Sequence, residues 1–273
     1  MYKSNKLISA CLVVYNEEAV IEKCLESIKS LVDEIIVVHD GICSDKTLEI
    51  AKKYTDKIFV RDHVGMMEAH LVYAFKQASN DWILRIDADE YFDECDIPKI
   101  KELTRNENVD MYRFKWEMWN GKKPVYFEGL GKECLFRKDK YHFCGIPHGS
   151  GFVDGNKETV DIFLHHRPKY NNTSWNCSRK KAKKWIPIHA KYFFPDLVDY
   201  DCFNLKSDSW LKHANKVTKN PTFYLFFDSL KIFLGQIKNG LWKSWVGFNV
   251  ALQQYFYYIS LYCEIIKLKK KKR

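Results

Sequence analysis

An α/β fold, with a doubly wound and mostly parallel central sheet, is predicted by three observations. Short apolar runs alternate with helical periodicity as far as about residue 90. Each apolar run ends in polar residues, as strands do when their carboxyl ends open on a ligand crevice. With 46% hydrophobic and 29% charged residues in a chain of 273, the composition supports a packed core and excludes wholesale disorder or a multi-span membrane protein.

The elements follow in order. Residues 7–14 (LISACLVV) form a nearly continuous apolar run, as expected of a parallel strand covered on both faces. Asn16 is placed to cap a helix with Glu17 and Glu18 in its first turn, where the dipole favours carboxylates. Ile21, Cys24, Leu25 and Ile28 then recur at helical spacing. Residues 35–38 make a second strand. Asp45 caps a second helix with Leu48, Ala51 and Tyr54 inward, and 58–60 make a third strand. Met67, Leu71, Ala74, Phe75 and Ala78 line a third helix, and 82–86 (WILRI) form a fourth strand. This β-α-β-α-β-α-β run is what argues the parallel sheet.

Beyond about residue 97 the rhythm loosens. Residues 111–116, 134–137 and 162–165 read as strands, between loops bearing Gly121, Gly129, Gly131, Gly145, Gly149, Gly151 and Gly155, and a smaller mixed sheet is expected beside the central one. The expected organisation is one domain over 1–220, divided into halves 1–96 and 97–220, and a helical extension over 221–273.

The net charge of +9 hides an asymmetry. Residues 1–150 carry 22 basic and 26 acidic side chains, and residues 151–273 carry 22 and 9. An acidic front half, with the aromatics crowded instead between 223 and 258, argues against a nucleic-acid partner. The nine cysteines form no C-x-x-C pair, which points to a reducing compartment without structural disulfides and away from zinc. The opening apolar run is short and meets Glu17 and Glu18 at once, unlike a signal peptide, so the amino terminus is expected to stay cytosolic.

Residues 244–263 hold no charged side chain, but Asn249, Gln253 and Gln254 interrupt them. The length would allow a span; the polarity favours a helix lying in the interface. With Lys231, Lys238, Lys243 and the terminal KLKKKKR, the segment suits an anionic membrane surface, attached peripherally or monotopically. The alternative is a helical packing domain with a solvated tail.

The fourth strand emerges into Asp87-Ala88-Asp89-Glu90. Two carboxylates so close are costly unless a cation or hydrogen-bond donors compensate them. Mg²⁺ or Mn²⁺, shared with substrate phosphates, would serve. His165 and His166 close a strand and are candidates for the same ion. Asp40, at the end of the second strand, is placed to accept from a base or ribose, or simply to form the turn before Gly41. No G-x-G-x-x-G and no P-loop sequence occurs, so nucleotide binding must rely on side chains.

Three blocks in order, ACLVVYNEEAVIEKCLES, EIIVVHDGICSDKTLEIAKKYTDKIFV and DWILRIDADEYF, resemble the nucleotide-binding half of the family 2 inverting glycosyltransferases of GT-A fold. The resemblance is clear over residues 7–93 and weaker to 166. It implies that 1–96 binds the nucleotide and that 97–220 completes the acceptor and metal sites. It implies further that Tyr15, Glu17 and Asp40 contact a nucleoside, commonly uridine, and that Asp87 touches ribose or metal. Asp89 would ligate Mg²⁺ or Mn²⁺ at the diphosphate, with His165 or His166 completing the shell. The partners implied are a nucleotide-sugar donor and a glycan or lipid-linked acceptor, at the cytoplasmic face of a bacterial inner membrane, in lipopolysaccharide or other surface-glycan synthesis. Transfer to polyprenyl phosphate and a degenerate sugar-binding scaffold are the alternatives.

Two departures stand out. The loop after the second strand, His39-Asp40-Gly41-Ile42-Cys43-Ser44-Asp45, is one residue longer than the family's usual pattern, and His148-Gly149 stands where relatives often have His-Glu. Displacing a nucleoside diphosphate with inversion needs charge neutralisation on the leaving oxygens and a general base at the acceptor hydroxyl. Asp89, with Arg179 or Lys180, answers the first need; His148, ahead of Glu133 and Asp154, is the candidate for the second. Trp116, Trp119 and Tyr126 are candidates to stack on a sugar. The reading fails if a lysine permanently neutralises the two aspartates.

Overall fold

A computed structural model describes residues 7–148, 151–198, 201–204 and 208–272. Gly149 lies outside the described residues. The amino-terminal alternation is present: β1 (Ile8–Val14), α1 (Ile21–Ile28), β2 (Glu34–Asp40), α2 (Thr47–Ala51), β3 (Ile58–Arg61), α3 (Glu68–Gln77) and β4 (Trp82–Arg85). There follow β5 (Glu90–Tyr91), α4 (Ile97–Leu103), β6 (Met111–Trp119), β7 (Pro124–Arg137), β8 (Tyr141–His142), β9 (Phe152–Val153) and β10 (Lys157–His166). Four helices close the chain: α5 (Trp175–Lys191), α6 (Asp208–Lys219), α7 (Pro221–Lys238) and α8 (Trp245–Lys271).

The sheet order is β3-β2-β1-β4-β7-β6-β10-β5. β1 runs parallel to both β2 and β4, and β2 parallel to β3. β7 lies antiparallel to β4, whereas β10 is parallel to β6. The later strands β7, β6, β10 and β5 extend the main sheet to eight strands, and the smaller second sheet is the antiparallel pair β8 and β9. Pairing to an open edge buries backbone donors and acceptors that an isolated small sheet would leave exposed.

Every residue of β1 is buried. Ile8, Ala10, Leu12 and Val14 face one core with Ile21, Cys24, Leu25 and Ile28 of α1. Cys11 and Val13 face the other with Leu71, Val72, Ala74 and Phe75 of α3. The period of two in a strand, under helices on both faces, is why the sequence reads as an unbroken apolar run.

Local capping differs from expectation at Asn16. That residue adopts φ 53°, a left-handed conformation that asparagine tolerates, and α1 begins later, after Val20. Its Oδ1 accepts instead from the Ser44 N–H at 2.9 Å, tying together the loops after β1 and β2. At the second helix the N-cap position falls to Lys46, which makes no side-chain cap, and Asp45 stands one residue earlier: its Oδ1 accepts from the Thr47 N–H at 2.9 Å, while Oδ2 accepts from the Glu18 N–H at 3.1 Å.

Two compact units are present. One comprises Met1–Glu117, Gly131–Lys169 and Asp201–Leu205. The other comprises Met118–Leu130, Tyr170–Tyr200 and Lys206–Arg273, so it takes in chain that lies before the sequence-based boundary at 220. In this second unit Ile186, Ala190, Phe193, Leu261, Tyr262 and Ile265 form one core, and Phe127, Leu241, Val250 and Ala251 another. Ser174 and Ser244 cap α5 and α8 by accepting from the N–H groups of Cys177 and Gly247. Among the described residues no helix is long and apolar enough to cross a membrane.

Candidate functional site

Strand register sets the site. Val14 lies opposite His39 and Cys11 opposite Arg85, so the chain leaving β4 reaches the carboxyl end of β1 at Asp87 and beyond. Asp87 to Glu90 form a tight turn. The Glu90 N–H donates to the Asp87 carbonyl at 3.0 Å, and the Asp87 N–H donates to the Glu90 carboxylate at 2.9 Å. β5 then pairs with the end of β10, His166 opposite Glu90 and His165 opposite Tyr91, and the Arg167 N–H donates to the Asp89 carbonyl at 2.8 Å. A short antiparallel ladder thereby brings the Asp-x-Asp turn to the two histidines.

The two aspartates have different surroundings. Asp89 Oδ2 lies 3.3 Å from His166 Nε2. Asp87 Oδ2 accepts from Lys132 Nζ at 2.7 Å, and the same ammonium donates to Glu90 Oε2 at 2.5 Å. Burial alone would push the Asp87 carboxyl up, but Lys132 and Arg85 hold it below its usual range. Glu90 is raised, by burial first and by the Asp87 charge second. Lys132 is raised as well: burial opposes its charge, and the two carboxylates more than offset that. The cation that compensates Asp87 is therefore the chain's own Lys132, where the expectation was contact with ribose or metal. Lys132 makes no ion pair with Asp89, so the neutralisation that would remove the need for a metal is confined to Asp87 and Glu90.

The histidines also separate. His165 Nδ1 lies 2.7 Å from Glu117 Oε1 and its Nε2 3.0 Å from Asp93 Oδ2. The Glu117 hydrogen bond raises its pKa against the opposing effect of burial. Both ring nitrogens are thus engaged by carboxylates, and Glu117 is bound in turn by Arg167 at 2.5 Å. His166 is the one beside Asp89. Its ring stacks on Trp116 with centroids 4.5 Å apart, and the Trp116 indole N–H donates to Glu90 Oε1 at 2.8 Å. Trp116, a candidate sugar platform by sequence, is thus in contact with both His166 and Glu90.

This donor set suits a hard divalent cation. Two ligands each about 2.1 Å from an octahedral ion, at right angles, stand about 3 Å apart, close to the separation of Asp89 Oδ2 and His166 Nε2. Among the described residues no group of three or more His, Cys, Asp or Glu side chains is arranged to hold a metal. A two-residue set agrees with an ion that takes its remaining ligands from substrate phosphates and water.

Glu17 lies in the same neighbourhood. Burial pushes its carboxyl up to about 7, against the lowering effect of Lys169, and the charge of Asp89 is among the contributors. Lys169 Nζ stands 3.7 Å from Glu17 Oε2. Tyr15 is 43% exposed, and its ring packs against His63 at 4.8 Å and His39 at 5.9 Å. Asp40 is engaged differently from expectation. Its oxygens accept from the N–H groups of Val64 and Gly65 at 2.6 and 2.8 Å, and His70 Nε2 and His63 Nδ1 lie 2.9 and 3.2 Å away. Burial raises its pKa, but these bonds bring it below the ordinary value. A carboxylate offers about four acceptor positions, so Asp40 organises the 63–65 loop before it can meet a nucleoside.

The remaining candidates have surroundings of their own. His148 is exposed at φ 53°, with its N–H donating to Glu68 Oε1 at 3.1 Å. Glu133 pairs with Lys157 at 3.1 Å. Asp154 is exposed, and its N–H donates to the Lys140 carbonyl. Arg179 and Lys180 are exposed on α5 of the helical unit. The Trp119 N–H donates to Asn172 Oδ1, and the Tyr126 hydroxyl lies against the Glu128 carbonyl.

Sequence reasoning missed Lys132, Glu90 as its second partner, and Glu117. For Lys132 the available signal was a lone basic residue between Gly131 and the apolar end of a strand, GKECLF. That signal does not say which carboxylate the lysine meets.

Residues 9–161 match the profile of the family described as Glycosyl transferase family 2. Over 258 residues the chain is 32% identical to the lipopolysaccharide core biosynthesis glycosyltransferase LpsC of Rhizobium meliloti, covering 90% of this chain and 86% of that protein. It is 37% identical over 107 residues to an uncharacterized glycosyltransferase of Rickettsia bellii, covering 39% of this chain and 36% of that protein. The chain therefore spans about a third of the length of that relative. Among solved structures, S. aureus TarS in complex with UDP is similar with a TM-score of 0.38 and 25% identity, over 45% of this chain and 39% of that one.

Proposed function

Because the chain belongs to glycosyl transferase family 2, we propose that it moves a sugar, with inversion, from a nucleotide sugar to a glycan or lipid-linked acceptor. The donor nucleotide is UDP, as the resemblance of its strand-end blocks implies. The product is a surface glycan of the lipopolysaccharide kind, the process for which LpsC is named. The aromatic and basic carboxyl-terminal segment suits work at the cytoplasmic face of a membrane, attached peripherally.

The observation that carries this reading is the Asp89–His166 pair, 3.3 Å apart at the carboxyl end of β4. These two side chains would hold Mg²⁺ or Mn²⁺. The bound ion supplies Lewis-acid stabilisation of the departing diphosphate. Lys132 fixes the Asp-x-Asp turn through Asp87 and Glu90, so Asp89 is presented without rearrangement. Tyr15 and Glu17 border the nucleoside. The acceptor hydroxyl loses its proton to His148, whose backbone is anchored on Glu68.

Release of nucleoside diphosphate from UDP-, GDP- and dTDP-sugars, with and without Mn²⁺, tests the proposal. Turnover of a UDP-sugar that needs Mn²⁺ and is lost in Asp89→Ala supports it. A wild-type protein that neither binds nor turns over any nucleotide sugar refutes it.

A further inference from the structure

The uncharged run 244–263 is the segment whose composition points most directly to a membrane, yet α8 is a packing helix. Gly247, Val250, Ala251, Gln253, Leu261, Tyr262 and Ile265 are all buried. Gly247 leaves no room for a side chain, since a Cβ there would stand 2.3 Å from the Leu241 carbonyl oxygen. Of the elements in this unit, α7 carries the most exposed large apolar side chains.

Phe223, Phe226, Phe227, Leu230 and Leu234 are 53%, 68%, 53%, 51% and 54% exposed. Their spacing of i, i+3, i+4, i+7 and i+11 puts all five on one stripe about 100° wide, the width that a helix normally turns toward a core. Here the stripe faces solvent. Lys231 and Lys238, both exposed, lie along one border of it. The only acidic residue of α7, Asp228, projects away from the stripe and accepts from the Tyr262 hydroxyl at 2.5 Å. Just past the helix, Trp242 and Trp245 are 61% and 77% exposed. Large apolar side chains, bordering lysines, no outward carboxylate and adjacent tryptophans match the headgroup boundary of an anionic bilayer. A protein partner would leave the one-sided charge unexplained.

We propose that the outer face of α7, Phe223 to Leu234 with Lys231 and Lys238, is a docking surface for an anionic lipid bilayer. The helix lies in the plane of the interface, with the phenylalanines among the acyl chains and the ammonium groups at the phosphates.

Co-sedimentation of the full chain with phosphatidylcholine vesicles, with and without phosphatidylglycerol, tests this. The wild type is expected to bind the anionic vesicles and to bind neutral ones at least about tenfold more weakly. Phe226→Gln/Phe227→Gln should lose binding to both by about tenfold or more, and Lys231→Gln/Lys238→Gln should lose mainly the anionic preference. Lys53→Gln, on the other unit, should bind as wild type does. These positions are exposed, so the variants keep their fold, which circular dichroism checks. Nucleotide-sugar turnover in lipid-free buffer should stay unchanged in both double variants, which separates failure here from failure of the transferase reading. The proposal is overturned if the phenylalanine variant binds vesicles like the wild type, if the wild type binds none, or if the variant instead dissociates a dimer seen in sizing experiments.

Discussion

Lys132→Met probes the charge arrangement at the candidate site through stability alone. In the wild type the ammonium lies 2.7 Å from Asp87 and 2.5 Å from Glu90, with side-chain exposures of 15% for Lys132, 27% for Asp87 and 1% for Glu90. At an effective dielectric constant near 20, unit charges about 2.7 Å apart attract by roughly 6 kcal/mol, before the cost of desolvating them. Removing one partner of a buried pair typically costs about 3–5 kcal/mol. Water reaches Asp87, so the lower end, about 3 kcal/mol at pH 7, is expected, or roughly 9 °C in Tm. The pH dependence has a definite sign. Asp87 is depressed in the folded state, so its stabilising contribution is present above the unfolded value near about 3.9 and lost as pH falls through the folded one. Glu90 is raised, so it costs stability increasingly as pH climbs above about 4.3. Methionine removes the first contribution and raises Glu90 further. The deficit is therefore largest at pH 7 and shrinks toward pH 5, whereas Lys132→Arg, which keeps the charge, should show less than half of it. Urea unfolding followed by circular dichroism at the two pH values measures this. A deficit below about 1 kcal/mol at pH 7, or one independent of pH, would mean that the lysine does not compensate these carboxylates.

Three further outcomes are expected. His166→Ala should reduce Mn²⁺-dependent donor turnover by about 100-fold and weaken Mn²⁺ binding read by electron paramagnetic resonance, with a much smaller loss of Mn²⁺ affinity for His165→Ala, because Glu117 and Asp93 already engage that ring. Glu34 is held at about 2, burial being outweighed by hydrogen bonds from Lys57, Ser79 and Ser9. Its contribution is complete above pH 5 and lost as pH falls toward about 2, so Glu34→Gln should cost about 2 kcal/mol in denaturant unfolding at pH 7 and nearly nothing near pH 2. Gly41 has φ 91°, and a Cβ there would stand 2.8 Å from the His63 Cβ; Gly41→Ala should cost about 1–3 kcal/mol in thermal unfolding and disturb the loop that Asp40 organises.

The sequence by itself determined the sheet that carries the site. The run 7–14 announces a strand covered on both faces, and the spacing of Ile21, Cys24, Leu25 and Ile28 a helix over it, because burial selects apolar residues at the period of each element. It also located the acidic turn at the end of the fourth strand and a pair of histidines at the end of another, since strand ends open on polar surroundings. Only the tertiary structure decided which of those side chains meet. Asp87 and Lys132 are 45 residues apart, and Asp89 and His166 come together through the register of β5 against β10. A shift of one residue in that register would exchange His165 for His166, because successive side chains of a strand point to opposite faces. The same holds for α7 and α8: both read as apolar and aromatic, and packing alone settles which of their side chains are left facing out. Local periodicity is written along the chain, whereas a charge pair or an uncovered face depends on what distant segments bring beside it.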